Sequence, residues 1–204
     1  MQEKTKSIII TSIGIFFLVY SVISISASII QKNPVQALYF CYIGLTLCGI
    51  GILIRNSMIV ISQIYLLLIP QGIWIIDFLF HIFTGTPLWG VTNYFFLEDA
   101  SALGRIISLQ HFFMIPLAIY ASVLIEIKKK WAWLLSFLEM TIVYFIVKSV
   151  GTPEYNVNCV FKPCLDVSLG LPYPLTWFIS VAVIIFLTAI VLNLNEKTRG
   201  ENGN

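Results

Sequence analysis

Long apolar runs alternate with short polar breaks along the whole chain, and this pattern predicts a bundle of transmembrane helices. A bilayer core about 30 Å thick needs roughly 20 apolar residues in a helix. Six runs approach or exceed this length, over residues 7–30, 36–54, 58–83, 105–125, 131–150 and 173–194. The breaks between them contain charged residues, glycine or proline. The sequence therefore predicts an all-α, polytopic protein with six spans in one domain, followed by a polar tail at 195–204.

The first run has an alternative interpretation as a signal peptide, because Lys4 and Lys6 precede it and small residues lie near its end. Its apolar stretch is longer than the roughly 7–15 residues of a signal core, and no clear A-x-A cleavage site follows. We therefore expect this run to be retained as a span.

The positions of the basic residues predict how the spans are oriented. With six spans, one side of the membrane receives eight of the 12 basic residues: Lys4, Lys6, Arg55, Lys128, Lys129, Lys130, Lys197 and Arg199. The other side receives four: Lys32, Arg105, Lys148 and Lys162. Because Lys and Arg concentrate on the cytoplasmic side, both termini are expected in the cytoplasm. The connections at 85–104 and 151–171 then face outward, and the cell membrane is the expected location.

Composition excludes two other classes of protein. The chain is 58% hydrophobic and 11% charged, whereas an ordinary soluble domain carries about 25% charged residues. Disordered chains have low hydrophobicity and high net charge, and here the mean hydropathy is +0.91. The net charge of +2 offers no broad basic face for nucleic acid. The expected partners are therefore membrane lipid, a second copy of the chain or another membrane protein.

The third run contains the most informative polar residues. Ionisable groups inside a membrane are expensive, so each is a functional hypothesis by default. At about 100° per residue, five side chains fall within about 60° of one another, and they are Gln63, Pro70, Trp74, Asp77 and His81. Asp77 and His81 are i,i+4 neighbours, so their side chains can touch. This polar stripe is expected to face the interior of the bundle.

The fourth and fifth runs add polar residues that can meet this stripe. Arg105 begins the fourth run, Ser108 and His111 share one of its faces, and Glu139 lies near the middle of the fifth run. We therefore predict one outward-facing pocket whose catalytic groups are Asp77, His81, His111 and Glu139. The residues expected to contact the substrate are Trp74, Arg105 and Ser108, with Arg105 holding a phosphate or carboxylate headgroup.

These residue types suit an enzyme that acts on a lipid or lipid-linked substrate, as a hydrolase or a transferase. Asp77, His81 and His111 are a ligand set for zinc or a similar divalent metal, whose bound water can attack an ester or amide. Without metal, the imidazoles and carboxylates can perform acid–base chemistry.

Three alternatives stay open at this stage. The same residues can form a proton relay in a proton-coupled carrier or channel. The chain can be an accessory subunit whose polar stripe only packs against a partner. Asp77 and His81 can also form a purely structural hydrogen bond. No H-E-x-x-H, G-x-S-x-G or glycine-rich phosphate loop is present to fix the chemistry.

The two outward connections differ in their residues. The first is rich in aromatic side chains between Trp89 and Phe96, which suit the membrane interface. It is either a lid hinged at Gly85 and Gly90 or a simple anchor of the bundle. The second contains Cys159 and Cys164, which can form a disulfide in an oxidising compartment, with a redox pair or free thiols as alternatives.

The other two cysteines are expected to serve packing. Cys41 and Cys48 lie with Gly44 and Gly51 at positions i, i+3, i+7 and i+10 of the second run. Such a stripe of small residues lets two membrane helices approach closely.

Overall fold

The structure is a computed structural model that describes residues 2–127, 130–165 and 169–201, with side chains up to residue 192. Within these ranges it is helical, with no strand, and this confirms the all-α prediction. The eight α-helices of the described residues are α1 (Glu3–Ile30), α2 (Phe40–Leu53), α3 (Ser57–Thr84), α4 (Asn93–Phe96), α5 (Ala102–Ser108), α6 (Gln110–Ile125), α7 (Ala132–Val150) and α8 (Tyr173–Glu201). Two short 3-10 helices cover Pro34–Leu38 and Val157–Cys159. Lys128 and Lys129, used above for the orientation, lie outside the described residues.

Among the residues that the structure describes, five stretches of helix are long and apolar enough to cross a membrane, which identifies a membrane protein. They are Glu3–Ile30, Ser57–Thr84, Ala102–Ile125, Ala132–Val150 and Tyr173–Leu192. Their bounds lie within a few residues of the predicted runs, because the length of an apolar run sets the length of the helix that it forms. The last helix continues to Glu201, so most of the predicted polar tail is helical.

The second predicted run folds differently from the single helix expected over 36–54. Its α-helix, α2, has only 14 residues and is about 21 Å long. Pro34 occupies the first turn of the 3-10 helix, and Tyr39 then adopts an extended conformation before α2 begins. The Asn158 side chain accepts from the Phe40 amide at 2.9 Å and donates to the Leu38 carbonyl at 2.7 Å. These two hydrogen bonds satisfy the backbone groups that the break exposes.

The two ends of α2 lie near opposite ends of the bundle. Just after α2, Arg55 Nη2 donates to Ser7 Oγ, near the start of α1, at 2.7 Å. At the start of α2, the Phe40 amide donates to Asn158, which belongs to the connection that follows α7. We call the end of the bundle formed by residues 31–39, 85–101, 151–165 and 169–172 the loop end.

Close packing of α1 on α2 depends on two glycines. A Cβ at Gly14 would lie 2.7 Å from Leu53 Cγ, and one at Gly49 would lie 2.7 Å from Leu18 Cδ2. Real Cβ atoms essentially never approach so closely, so a side chain at either position would force the facing leucine or the helix to shift. Small residues at the interface therefore set the distance between these two helices.

The third helix is the centre of the bundle. It packs against α2, α6, α7 and α8. Pro70 lies inside it, yet the helix continues to Thr84. Gly85 ends it with a left-handed φ of 75°, and its amide donates to the His81 carbonyl at 2.9 Å. This helix ending directs the chain back across the loop end, where the candidate site lies.

Candidate functional site

Two adjoining cavities lie at the loop end and together form one pocket. The wide arm has a volume of about 740 Å³ and the narrow arm about 350 Å³, within the size range of ligand pockets. The residues that line both arms are Cys41, Trp74, Val91, His111, Asn158, Cys159, Pro163 and Cys164. We call this shared set the junction.

The wide arm has cations and hydroxyl groups among the residues that line it. Arg105 and Lys162 line it, and none of the described residues that line it is acidic. Burial raises the pKa of Tyr39 to about 12 and also raises the pKa of Tyr94. Both phenols are protonated at neutral pH; Tyr39 offers its O–H as a donor, whereas the O–H of Tyr94 is donated to Ser108 Oγ. This arm suits a polar or anionic headgroup.

The narrow arm is lined mainly by apolar side chains of α3 and α8. Leu66, Leu67 and Ile73 line it from α3, and Val181 and Ile184 line it from α8. A hydrocarbon chain would bury apolar surface against these side chains.

His111 lies at the junction in a defined orientation. Its ring stacks on Trp74, with 4.4 Å between the ring centroids and 13° between their planes. His111 Nδ1 lies 2.6 Å from the Ser108 carbonyl oxygen, so Nδ1 carries a proton. The described part of the chain supplies no hydrogen-bond partner for Nε2. His111 is thus placed to exchange a proton with a ligand in the pocket.

Tyr94 connects two of the predicted substrate-contacting residues. Trp74 Nε1 donates to the Tyr94 hydroxyl at 2.9 Å, and that hydroxyl donates to Ser108 Oγ at 3.1 Å. Ser108 Oγ donates in turn to the Gly104 carbonyl at 2.9 Å. The chain of hydrogen bonds fixes the aromatic wall of the pocket. The sequence placed Tyr94 in the aromatic connection, as part of a lid or an interfacial anchor, but did not predict these bonds.

Asp77 is fully buried and holds the first connection rather than facing the pocket. Its Oδ1 accepts from the amides of Trp89 at 2.6 Å and Gly90 at 3.2 Å. Its Oδ2 accepts from the Thr92 amide at 2.8 Å and the Thr92 hydroxyl at 2.7 Å. Gly90 has a φ of 80°, a left-handed conformation that glycine adopts without strain. Asp77 is therefore an anchor for the segment that carries Val91 and Tyr94 into the pocket wall.

His81 lies away from both arms. Its ring packs on Phe96 at a centroid distance of 3.9 Å, and its buried Nδ1 has no partner among the described residues. The structure shows no hydrogen bond between His81 and Asp77 in this region. The i,i+4 spacing permits such a contact, but the loop donors satisfy Asp77 instead. Among the described residues, no group of three or more His, Cys, Asp or Glu side chains could hold a metal ion. The predicted ligand set Asp77, His81 and His111 therefore does not come together.

Glu139 lies deeper in the bundle, outside both arms. Its Oε2 accepts from Gln63 Nε2 at 2.6 Å, and its Oε1 has no partner among the described residues. One turn away on α7, Ser136 Oγ donates to the Ser62 carbonyl at 2.7 Å. These contacts join α3 to α7. The structure therefore brings His111 to the pocket and leaves Asp77, His81 and Glu139 at three other places.

Arg105 lines the wide arm and also supports the first connection. Its Nε donates to the Phe95 carbonyl at 3.0 Å, and its Nη2 donates to the Leu97 carbonyl at 2.6 Å. Two of its nitrogens thus bind backbone carbonyl groups of the first connection. The predicted substrate-contacting residues Trp74, Arg105 and Ser108 all line the wide arm.

The four cysteines occupy three environments. Cys159 and Cys164 have their sulfur atoms 1.97 Å apart, at disulfide distance, and line the junction. Cys48 is completely buried in the core, as the packing interpretation predicts. Cys41 lines both arms, so it contributes to the pocket as well as to the helix.

Comparison with protein-family models, with curated proteins and with solved structures finds no match for this chain.

Proposed function

We propose that the chain crosses the cell membrane six times, with both termini in the cytoplasm and the loop end outside. The contacts at the two ends of α2 support a sixth crossing, because they join α2 to the start of α1 on one side and to the loop end on the other. The 8 to 4 distribution of basic residues supports the orientation. An outside location also suits a disulfide between Cys159 and Cys164.

We propose that the pocket binds a lipid or lipid-linked amphiphile and that the protein is an enzyme acting on it. The observation that carries the proposal is the junction, where one set of residues lines both a cation-bearing arm and an apolar arm. A headgroup in the wide arm and a hydrocarbon chain in the narrow arm place the bond between them beside His111. The reaction classes that fit are hydrolysis of that bond and transfer of one of its two parts.

His111 is the acid–base group in this proposal. Because Nδ1 is bound to the Ser108 carbonyl, Nε2 is free to accept the proton of an attacking water or hydroxyl. The same nitrogen then returns the proton to the leaving oxygen. Arg105 keeps the wide arm positive and holds its wall, and Asp77 acts as a positioning residue through the first connection.

The geometry supports an enzyme more than it supports a proton relay in a carrier or channel. A relay needs groups within hydrogen-bonding reach of one another, and Asp77, His111 and Glu139 have separate partners. A partner subunit or a second copy of the chain stays a prediction.

The two histidines provide a matched test of the enzyme. Purified protein in proteoliposomes is incubated with a total lipid extract, and the lipids are compared by mass spectrometry before and after. We expect the wild type to convert one lipid class and His111→Ala to lose about 100-fold or more of the rate, as removal of an acid–base group does. His81→Ala is the control, because His81 lies outside both arms, and it should keep most of the activity. Unchanged lipids with the wild type, or equal loss in both variants, would refute the proposal.

A further inference from the structure

Two cations line the wide arm without an acidic side chain to balance them. Arg105 lies on α5, and Lys162 belongs to the second connection, where its side chain is exposed. None of the described residues that line this arm is acidic. The Lys162 ammonium group has no hydrogen-bond or ion-pair partner in the described part of the chain. A cavity with two positive charges and no counter-charge attracts an anion.

The backbone of Lys162 is held in place from both sides. Asn156 Oδ1 accepts from the Lys162 amide at 3.0 Å, and Asn156 Nδ2 donates to the Lys162 carbonyl at 2.9 Å. Cys159 and Cys164, whose sulfur atoms are at disulfide distance, enclose the same turn. Because the backbone is already fixed, a ligand has to order only the side chain of Lys162, and this lowers the entropic cost of binding.

Arg105 and Tyr39 add two more donors to the same arm. Arg105 Nε and Nη2 are bound to carbonyl groups of the first connection, which fixes the guanidinium group and leaves Nη1 as its unused donor. The Tyr39 hydroxyl is a neutral donor. Lys162, Arg105 and Tyr39 thus offer three donors from three different segments of the chain. A terminal phosphate has three acceptor oxygens, whereas a carboxylate has two.

We propose that Lys162 binds a terminal phosphate in the headgroup of the ligand, together with Arg105 and Tyr39. This inference rests on the proposed function and names the substrate class: an amphiphile with a phosphate at its polar end. Lys162 and Arg105 supply charge, and Tyr39 supplies a neutral hydrogen bond. Charge-assisted hydrogen bonds are roughly twice as strong as neutral ones, so Lys162 contributes much of the preference for phosphate over an uncharged headgroup.

Three probes test the inference on the full-length protein in a neutral detergent, with binding measured by isothermal titration calorimetry. Hexadecyl phosphate has both the chain and the phosphate, hexadecyl glucoside has the same chain and an uncharged headgroup, and inorganic phosphate has no chain. We expect hexadecyl phosphate to bind at least about tenfold more tightly than the glucoside, since one charge-assisted hydrogen bond is worth about that factor. Inorganic phosphate should bind more weakly, because it leaves the narrow arm unfilled.

Two lysine variants form a matched pair. Lys162 and Lys32 are both exposed residues of the loop end, but Lys32 lines neither arm. Lys162→Gln should weaken the binding of hexadecyl phosphate about tenfold and leave the affinity for the glucoside unchanged, whereas Lys32→Gln should keep both affinities. Equal weakening in the two variants would mean that net charge attracts the anion, and it would overturn the site.

Asn156→Gly tests how Lys162 is positioned, because it removes both contacts to the Lys162 backbone and keeps every charge. Asn156 has a φ of 43°, which glycine adopts without strain. The affinity for hexadecyl phosphate should fall several-fold relative to the affinity for the glucoside. The ratio of the two affinities within one variant removes any general effect on the pocket. An unchanged ratio would overturn the positioning of Lys162 by Asn156.

The outcomes separate this inference from the proposed function. Equal affinities of the wild type for hexadecyl phosphate and the glucoside overturn the phosphate site and leave an amphiphile pocket in place, whether or not a variant folds. If inorganic phosphate binds as tightly as hexadecyl phosphate and Lys162→Gln weakens both, the phosphate site stands but its ligand is free phosphate, and the lipid proposal fails. Binding of none of the probes contradicts the proposed function and the inference with it.

Discussion

The two connections at the loop end are both walls of the pocket, but they are held in different ways. The first, at 85–101, is held by side chains from the helices beneath it, chiefly Asp77 and Arg105. The second, at 151–165, is held both by α8, from which Trp177 Nε1 donates to the Asn158 carbonyl at 2.9 Å, and by its own residues. Asn156 Oδ1 accepts from the amides of Phe161 and Lys162 at 3.0 Å each, and the cysteines close the same turn. The conformation of the first wall therefore depends on the bundle, whereas that of the second depends on contacts with the bundle and on local contacts together.

Of the variants that test how the two connections are held, removal of the Asp77 carboxylate should have the largest effect on stability and amide exchange. Asp77→Ala leaves three loop amides and one hydroxyl without their acceptor, a loss we expect to destabilise the connection by about 3 kcal/mol or more. Hydrogen exchange of the Trp89, Gly90 and Thr92 amides should accelerate about 100-fold, because 1.4 kcal/mol corresponds to a factor of ten.

Two further variants sharpen this first prediction. Asp77→Asn keeps one acceptor oxygen but turns its NH₂ group toward donors of the first connection. We therefore expect amide exchange in this variant to accelerate less than in Asp77→Ala. Asp99→Ala removes an exposed carboxylate from the same connection and should leave the exchange rates unchanged. If Asp77→Ala also leaves them unchanged, the connection does not depend on the bundle.

Loss of the Cys159–Cys164 bond should have a smaller and more confined effect. The bond closes a short loop with a sequence separation of 5, for which chain entropy gives a stabilisation of about 2 kcal/mol. In a Cys159→Ser, Cys164→Ser double variant, exchange should accelerate within 156–165 and remain unchanged in 85–101. Reducing agent should reproduce this result in the wild type and add nothing in the double variant. Acceleration of both connections would show that the second wall also supports the first.

The sequence predicted the positions of the helices well, but it predicted much less about which residues contact one another. Apolar run length predicted the long helices, because a membrane imposes one length on every span. The same criterion failed at the second run, where Tyr39 breaks the helix with help from Asn158, a residue more than 100 positions away. Hydropathy is local, so it does not contain such a contact.

The candidate site shows the same limit. Helical spacing placed Asp77 and His81 on one face, but it does not show which donor will bind the Asp77 carboxylate. In the structure the donors are amides of the first connection. Cys41 and Cys48 lie on one face of α2 at different depths, so periodicity could not separate the pocket cysteine from the core cysteine.

Loss of the Asn158 side chain should have the smallest effect of the three, because it removes two hydrogen bonds between neutral groups. These bonds link the second connection to the start of α2, and we expect a loss of about 1–2 kcal/mol in unfolding free energy. Asn158 has a φ of 53°, so Asn158→Gly removes the side chain without backbone strain, whereas Asn158→Ala adds strain. Exchange of the Phe40 amide should accelerate in both variants, with Asn158→Ala the less stable. An unaffected Phe40 amide would mean that the break before α2 persists without Asn158, and that the second connection does not hold the start of α2.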